Sequence, residues 1–196
     1  MNDLKSIAIF CGSSDGNDPK IVEQAQELGR RLAKDEVTLV YGGAKVGIMG
    51  HIAQSALDND GKVIGVIPEF LKLKEVVHSG LTELYTVNNM HERKLKIHEL
   101  SEGFVALPGG FGTFEELFEI TTWAQLGLHQ KPIGLLNSNG FYDDLVKMID
   151  TMKSKGLLRE ENTNLILIDS EVDGLLKRMN AYIPRQVPKW LNADRT

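Results

Sequence analysis

The sequence has few features of secreted, membrane-spanning or nucleic-acid-binding proteins. Its 196 residues contain one cysteine, Cys11, so no disulfide can form within the chain and a reducing compartment, the cytoplasm, is expected. No apolar stretch approaches the roughly 20 residues that a membrane helix needs, and the short apolar run at 7–11 has no signal-like cleavage region after it. The net charge of −5 disfavours a nucleic-acid or membrane surface.

The histidines also lack the spacing of a metal site. They are His51, His78, His91, His98 and His129. None belongs to an HExxH sequence or another compact ligand pattern, so no metal and no cofactor are expected. The lone Cys11 is interpreted as a small buried hydrophobic residue rather than a nucleophile.

What the sequence does contain is an alternation of apolar, β-branched runs with amphipathic helical patterns. The predicted strands are 5–10, 37–41, 62–67, 104–107, 132–136 and 164–168, with a short extended piece at 83–87. The predicted helices are 19–34, 47–59, 88–101, 113–126, 141–155 and 171–182. Strands that are apolar throughout indicate burial on both faces. The pattern predicts a doubly wound parallel α/β sheet with helices on both faces, in one domain over 1–183 with a tail at 184–196.

In such a sheet, ligands bind at the carboxyl ends of the strands, where this sequence places three glycine-rich loops. The first two are "CGSSDG" at 11–16, with Gly12 and Ser13, and "YGGAKVGIMG" at 41–50, with Gly42 and Gly43. Each permits two interpretations, a tight turn that packs a helix on a strand or a backbone that contacts a ligand. The second is neither a Walker A loop nor a dinucleotide fingerprint.

The third loop, "GGFGT", leads from a predicted strand into a helix. Gly110, Gly112 and Thr113 place backbone N–H groups and a hydroxyl at the positive end of that helix, which suits phosphate. Glu115 stands where the dinucleotide fingerprint has its third glycine. A mononucleotide is therefore a better candidate ligand than a dinucleotide cofactor.

Two glutamates follow this loop directly, which is unusual behind a phosphate site. Thr113 and Glu116 have the T-x-x-E spacing of a capping box, with Glu116 at the third helical position. A carboxylate packed against a bound phosphate would oppose its binding. If phosphate binds here, at least one glutamate faces another part of the ligand. The sequence leaves the cap and the ligand-facing role open.

Two positive charges stand upstream in "NNMHERKLKIHEL". Asn88 or Asn89 can cap this helix, which places Arg93 and Lys94 in about the first turn. The helix dipole disfavours positive charge there. The two side chains are either a surface pair bridged to neighbouring glutamates or part of an anion site, because local rules are often broken at functional sites.

The motifs together resemble one family. "PGGFGTFEE" at 108–116, "MHERK" at 90–94, "FCGSS" and "YGGAKVGIMG" are similar to the LONELY GUY (LOG) family, the phosphoribohydrolases of cytokinin biosynthesis once labelled lysine decarboxylases. The resemblance implies a Rossmann-like homodimer that cleaves the N-glycosidic bond of a purine nucleoside 5′-monophosphate. The products would be the free base and ribose 5-phosphate.

The resemblance also implies roles for individual residues. It assigns catalysis to Arg93 and Glu116. It implies nucleotide contacts at Glu75, Lys94, Gly109, Gly110, Phe111, Gly112, Thr113, Phe114, Glu115 and Thr122. Of these, Glu75 and Thr122 rest on spacing alone.

The chemistry agrees with this assignment, since a carboxylate can stabilise an oxocarbenium-like sugar or activate water. The alternative function is a non-catalytic, regulatory nucleotide-binding module. An NAD-linked enzyme is disfavoured by the missing glycine. The sequence leaves open whether AMP or an N6-prenylated nucleotide is preferred.

Overall fold

A computed structural model describes residues 4–72 and 77–184. Its strands are β1 Ser6–Phe10, β2 Thr38–Tyr41, β3 Val63–Pro68, β4 Glu83–Val87, β5 Gly103–Ala106, β6 Ile133–Leu136 and β7 Ile166–Asp169. Its helices are α1 Pro19–Lys34, α2 Gly47–Leu57, α3 Glu69–Lys72, α4 Met90–Leu100, α5 Phe111–Gln125, α6 Asp143–Ser154, α7 Glu160–Thr163 and α8 Val172–Asn180. The predicted contact residue Glu75, and the predicted tail from residue 185 onward, lie outside the described residues.

The seven strands form one parallel sheet in the order β4-β3-β2-β1-β5-β6-β7. The chain runs outward from β1 to β4, then returns to pair β5 with the other side of β1. The predicted doubly wound parallel α/β fold is therefore confirmed. The order reverses between β1 and β5, and a crevice at the carboxyl ends of these strands is where such folds bind ligands.

Both faces of the sheet are covered, as the unbroken apolar strands predict. One buried cluster joins α1, α2 and α8 to the sheet, with Leu28, Ile52 and Leu175 among its members. The opposite cluster joins α4 and α5, through Ile97 and Leu117. Side chains alternate along a strand, so the two clusters use alternate residues of the central strands.

Local signals fix the start of the first helix. Asp18 caps α1 by accepting from the Lys20 N–H, with Pro19 at the first helical position. The short helices α3 and α7 and the 3₁₀ turn Ser138–Gly140 were not predicted, because three or four residues are too few to display a helical period.

Residues 4–72 and 77–184 contain neither a candidate membrane span nor a candidate metal cluster. None of the helices there is long and apolar enough to cross a bilayer. Within the same ranges, no three His, Cys, Asp or Glu side chains are grouped in a way that would hold a metal ion.

Candidate active site

An open cleft of about 290 Å³ lies at the crevice between β1 and β5. The three glycine-rich loops follow β2, β1 and β5, which are neighbours in the sheet, so they meet at one edge. The first and third are bonded together, since the Gly12 N–H donates to the Pro108 carbonyl at 3.1 Å. The first also joins α2, since the Met49 N–H donates to the Gly12 carbonyl at 3.3 Å.

Most of the predicted site residues line this cleft. Those in its wall are Gly12, Ser13, Gly42, Arg93, Gly110, Phe111, Gly112, Thr113, Glu115 and Glu116. The sequence analysis missed Ile9, Met49 and Met90 as wall residues. Their positions beside the predicted loops could have identified them as wall residues. Apolar residues at these positions are, however, equally expected in the hydrophobic core.

Cys11 also lines the cleft and is buried, as predicted for a small hydrophobic residue. Burial, and secondarily the charge of Glu116, raise the pKa of its thiol far above the ordinary value. The thiol is therefore protonated at neutral pH and is a poor nucleophile.

The start of α5 differs from the predicted one and gives the cleft its anion site. The helix begins at Phe111 with Gly110 as the N-cap and no side-chain cap, and its first backbone bond joins the Phe114 N–H to the Gly110 carbonyl at 3.2 Å. The predicted capping box is wrong, because Thr113 is the third helical residue rather than the cap. The N–H groups of the first turn are left for a ligand, and the helix dipole makes that ligand an anion.

Glu116 is freed by the same shift. It lies in the second turn of α5 and its side chain is only 14% exposed. Its carboxylate Oε1 lies 3.9 Å from Nη2 of Arg93. Burial raises the pKa of Glu116 to about 7 even though the Arg93 charge lowers it. A carboxyl that changes charge near neutral pH beside a cleft has the property expected of a catalytic acid or base.

Arg93 reaches this carboxylate from α4. Asn89 caps that helix by accepting from the Glu92 N–H at 2.9 Å, so Arg93 is its fourth residue. The guanidinium contacts the Met90 sulfur at 3.8 Å, and its buried Nε has no hydrogen-bond partner. A Cβ on Gly42 would overlap Arg93 Nη2, so the glycine provides the space in which the guanidinium lies.

We therefore predict that Gly42→Ala keeps the fold but displaces Arg93. The clash is with the tip of a flexible side chain, so little stability is lost, whereas a displacement of about 1 Å at an active site costs about 10²-fold in turnover. The measurement is turnover with thermal unfolding, and Gly80→Ala, whose Cβ meets its neighbours at 3.4 Å or more, is the matched control. Equal activity of both variants would contradict this role of Gly42.

Five predicted contact residues do not line the cleft. They are Gly43, Lys94, Gly109, Phe114 and Thr122. Phe114 packs edge-on against Tyr142 in the core, with ring centroids 5.6 Å apart. The Thr122 hydroxyl donates to the Phe118 carbonyl one turn earlier, at 2.7 Å. Direct contact of these residues with a ligand has no support from the geometry and stays a prediction.

The structure gives structural roles to the other three of the five. A Cβ on Gly109 would overlap the Thr113 hydroxyl and lie 2.8 Å from the Gly12 nitrogen, so this glycine lets two loops touch. Gly43 has φ +81°, a left-handed conformation that favours glycine. Lys94 is bound by Glu115 and Glu119 at 2.6 and 2.8 Å.

Comparisons with known proteins address the same region. The protein family described as "Possible lysine decarboxylase" matches residues 49–179. The chain is 44% identical over 173 residues to the cytokinin riboside 5′-monophosphate phosphoribohydrolase of Rhodococcoides fascians, covering 88% of this chain and 87% of that protein. The chain belongs to the LOG family. A LOG-family phosphoribohydrolase of Arabidopsis thaliana is 41% identical, over 93% of this chain and 85% of its own.

Solved structures also resemble this chain, but only in fold. The molybdenum cofactor binding protein of Rippkaea orientalis superposes with a TM-score of 0.68, covering 90% of this chain and 95% of that one, at 22% identity. At that identity the likeness shows a common fold and carries no information on activity.

Proposed function

We propose that this chain hydrolyses the N-glycosidic bond of a purine nucleoside 5′-monophosphate, releasing the free base and ribose 5-phosphate. The observation that carries the proposal is the pairing of two features in one cleft. The uncapped start of α5 suits a phosphate, and the buried Glu116 faces the same space. The named activity of the LOG-family relatives supports the same reaction, and with it a role in cytokinin formation.

The phosphate would hold the substrate. Backbone N–H groups of Phe111, Gly112 and Thr113 are available at the helix start, where an anion is stabilised by the dipole. Fixing the phosphate also fixes the sugar, whose anomeric carbon lies one ribose length from the phosphate. Binding energy at the phosphate is thereby used to orient the reacting bond. The opposing charge of Glu115 is reduced by its ion pair with Lys94, at 2.6 Å.

Glu116 would act on the sugar. Loss of the base leaves positive charge on the anomeric carbon and ring oxygen, which a nearby carboxylate stabilises, and the same carboxylate can take a proton from the attacking water. Arg93, at 3.9 Å from Glu116, favours the ionised form of that carboxyl and holds it toward the cleft. A pyridoxal phosphate decarboxylase would need a lysine for its Schiff base, and among the described residues of the cleft wall none is a lysine.

The test compares AMP and N6-isopentenyladenosine monophosphate with their unphosphorylated nucleosides. We expect free base from both monophosphates and a decrease of at least about 10²-fold in kcat/KM for the nucleosides, because remote binding energy is lost with the phosphate. Equal turnover of nucleosides would contradict the phosphate site. Binding of AMP without release of adenine would instead favour a regulatory nucleotide-binding module.

The rate is also expected to depend on pH through Glu116. If the ionised carboxylate is the active form, kcat increases with pH through the Glu116 pKa of about 7 and then levels off. The measurement is a pH profile of kcat with saturating monophosphate between pH 5 and 9. A profile that is flat from pH 5 upward would contradict a role for this carboxylate.

We also propose that the chain forms a homodimer in the cytoplasm. Leu95 of α4 is 50% exposed and Phe118 of α5 is 40% exposed, and exposed apolar surface is typical of an interface when it forms a patch. The single cysteine suits a reducing compartment, and the net charge of −5 opposes binding to nucleic acid. Light scattering would test the dimer, for which a mass of twice 21.8 kDa is expected.

A further inference from the structure

Glu116 separates the cleft from a second, much smaller cavity. It lines both spaces, and the small one has a volume of about 10 Å³. The small cavity is also lined by Lys94, His98 and Glu119, none of which lines the cleft. The carboxyl therefore has charged neighbours behind it, on the side away from a bound nucleotide.

Lys94 joins α4 to α5 at this point. Its ammonium lies 2.6 Å from Glu115 Oε1 and 2.8 Å from Glu119 Oε1, and its side chain is only 12% exposed. Solvent screens exposed ion pairs strongly and buried ones much less, so the Lys94–Glu119 pair, with Glu119 25% exposed, is screened less than the pair with Glu115, which is 53% exposed. The charges of this cluster therefore act on nearby groups at close range.

We propose that Lys94 and Glu119 are positioning residues that set the charge state of Glu116 from the side opposite the cleft. The proposal rests on the proposed function, since it concerns the carboxyl assigned to that reaction. The positive charge of Lys94 favours the carboxylate form of Glu116, and the negative charge of Glu119 favours the protonated form. Burial and Arg93 have the larger effects on this carboxyl, and Lys94 and Glu119 adjust the balance that these two set.

Other titratable groups face Glu116 from each element packed against it. They are Arg93 and His98 of α4, Glu115 of α5 and Cys11 at the end of β1. The thiol is protonated, and burial lowers the pKa of His98 to about 4, so both are uncharged at neutral pH. Arg93 and Glu115 line the cleft, where substrate would meet them, which leaves Lys94 and Glu119 as the charged pair behind Glu116.

The experiment measures the charge state of Glu116 in Lys94→Met and Glu119→Gln. Removing Lys94 should raise the pKa of Glu116 by roughly half a unit to one unit, and removing the charge of Glu119 should lower it by a similar amount. The readout is a ¹³C NMR titration of the Glu116 side-chain carboxyl, whose signal is identified by its loss in Glu116→Gln. In parallel, the rising limb of the kcat–pH profile should move to higher pH in Lys94→Met and to lower pH in Glu119→Gln.

A purely structural clamp predicts a different result. Both substitutions break the Lys94–Glu119 ion pair, so looser helices would admit water and lower the pKa of Glu116 in both variants. Shifts of the same sign, or no shift in either variant, would overturn the proposal. Lys94→Arg keeps the positive charge and should show the wild-type titration of Glu116. This variant also tests the proposal if Lys94→Met folds poorly.

The matched control is Lys96→Met on the same helix, because Lys96 pairs with Glu99 at 3.4 Å, away from both cavities. This variant should leave the Glu116 titration unchanged, and a shift as large as that of Lys94→Met would overturn the proposal. The NMR titration needs no turnover. If the wild type released no base, the proposed function would fail, while opposite NMR shifts would still support the charge control.

Discussion

Glu116→Gln is expected to decrease release of free base from a nucleoside 5′-monophosphate by about 10²–10⁴-fold, the usual contribution of a general base or charge stabiliser. Glutamine keeps the size of the side chain and removes the negative charge that would stabilise the sugar cation. The substrate should still bind, because the phosphate site at the start of α5 is untouched. The measurement is kcat and KM by chromatography of the released base, with Glu99→Gln as the control on an exposed carboxylate of α4.

Stability measurements separate this effect from misfolding. The pKa of folded Glu116 is raised to about 7 from 4.5, so its burial favours the protonated form and the wild type loses stability as pH increases through that range. The variant lacks this titration. Its stability relative to the wild type should therefore increase between pH 4.5 and 7, by about 1–3 kcal/mol. Full activity in Glu116→Gln would contradict the catalytic role.

Arg93→Met is expected to decrease kcat/KM by about 10²-fold or more, the scale found when one charge-stabilising donor is removed from an active site. The guanidinium lies 3.9 Å from Glu116 and its charge lowers the pKa of that carboxyl. Without it the pKa of Glu116 increases, so a smaller fraction is ionised at pH 7. Part of the lost activity should therefore return at higher pH, which a pH profile of kcat detects.

The matched control for this substitution is Arg178→Met. Arg178 pairs with Asp169 at 2.8 Å on the far edge of the sheet, so its loss removes an arginine ion pair without touching the cleft. Wild-type turnover in Arg93→Met, with an unchanged pH profile, would show that the Arg93–Glu116 pair only joins α4 to α5.

The fold was predictable because buried parallel strands and intervening helices leave strong patterns. The apolar runs at β1, β2 and β5 identified three neighbouring strands, and their loops identified the edge at which a ligand would bind. The RK pair was also informative. Positive charge near the start of α4 is unfavourable locally, and Arg93 is present because a carboxylate from another helix faces it.

The role of Glu116 was harder to predict, because its local sequence has a complete alternative explanation. T-x-x-E before an apolar run is a normal capping box, whereas the helix in the structure starts two residues earlier than predicted, with Gly110 as its N-cap. Nor could the sequence show that Lys94 faces Glu119 while Arg93 faces Glu116, since adjacent residues on a helix differ in direction by about 100° and helix packing fixes which one meets the cleft. Likewise, the sequence could not show that Gly42 provides the space for the Arg93 guanidinium, because the two residues are 51 positions apart.

One nucleotide is expected to span the cleft, with phosphate at the start of α5 and the anomeric carbon at Glu116. A crystal structure of Glu116→Gln soaked with AMP tests it most directly. We expect phosphate oxygens within hydrogen-bond distance of the Phe111, Gly112 and Thr113 N–H groups, and C1′ of the ribose facing the residue 116 amide. Phosphate bound elsewhere, or a ribose turned away from residue 116, would contradict it.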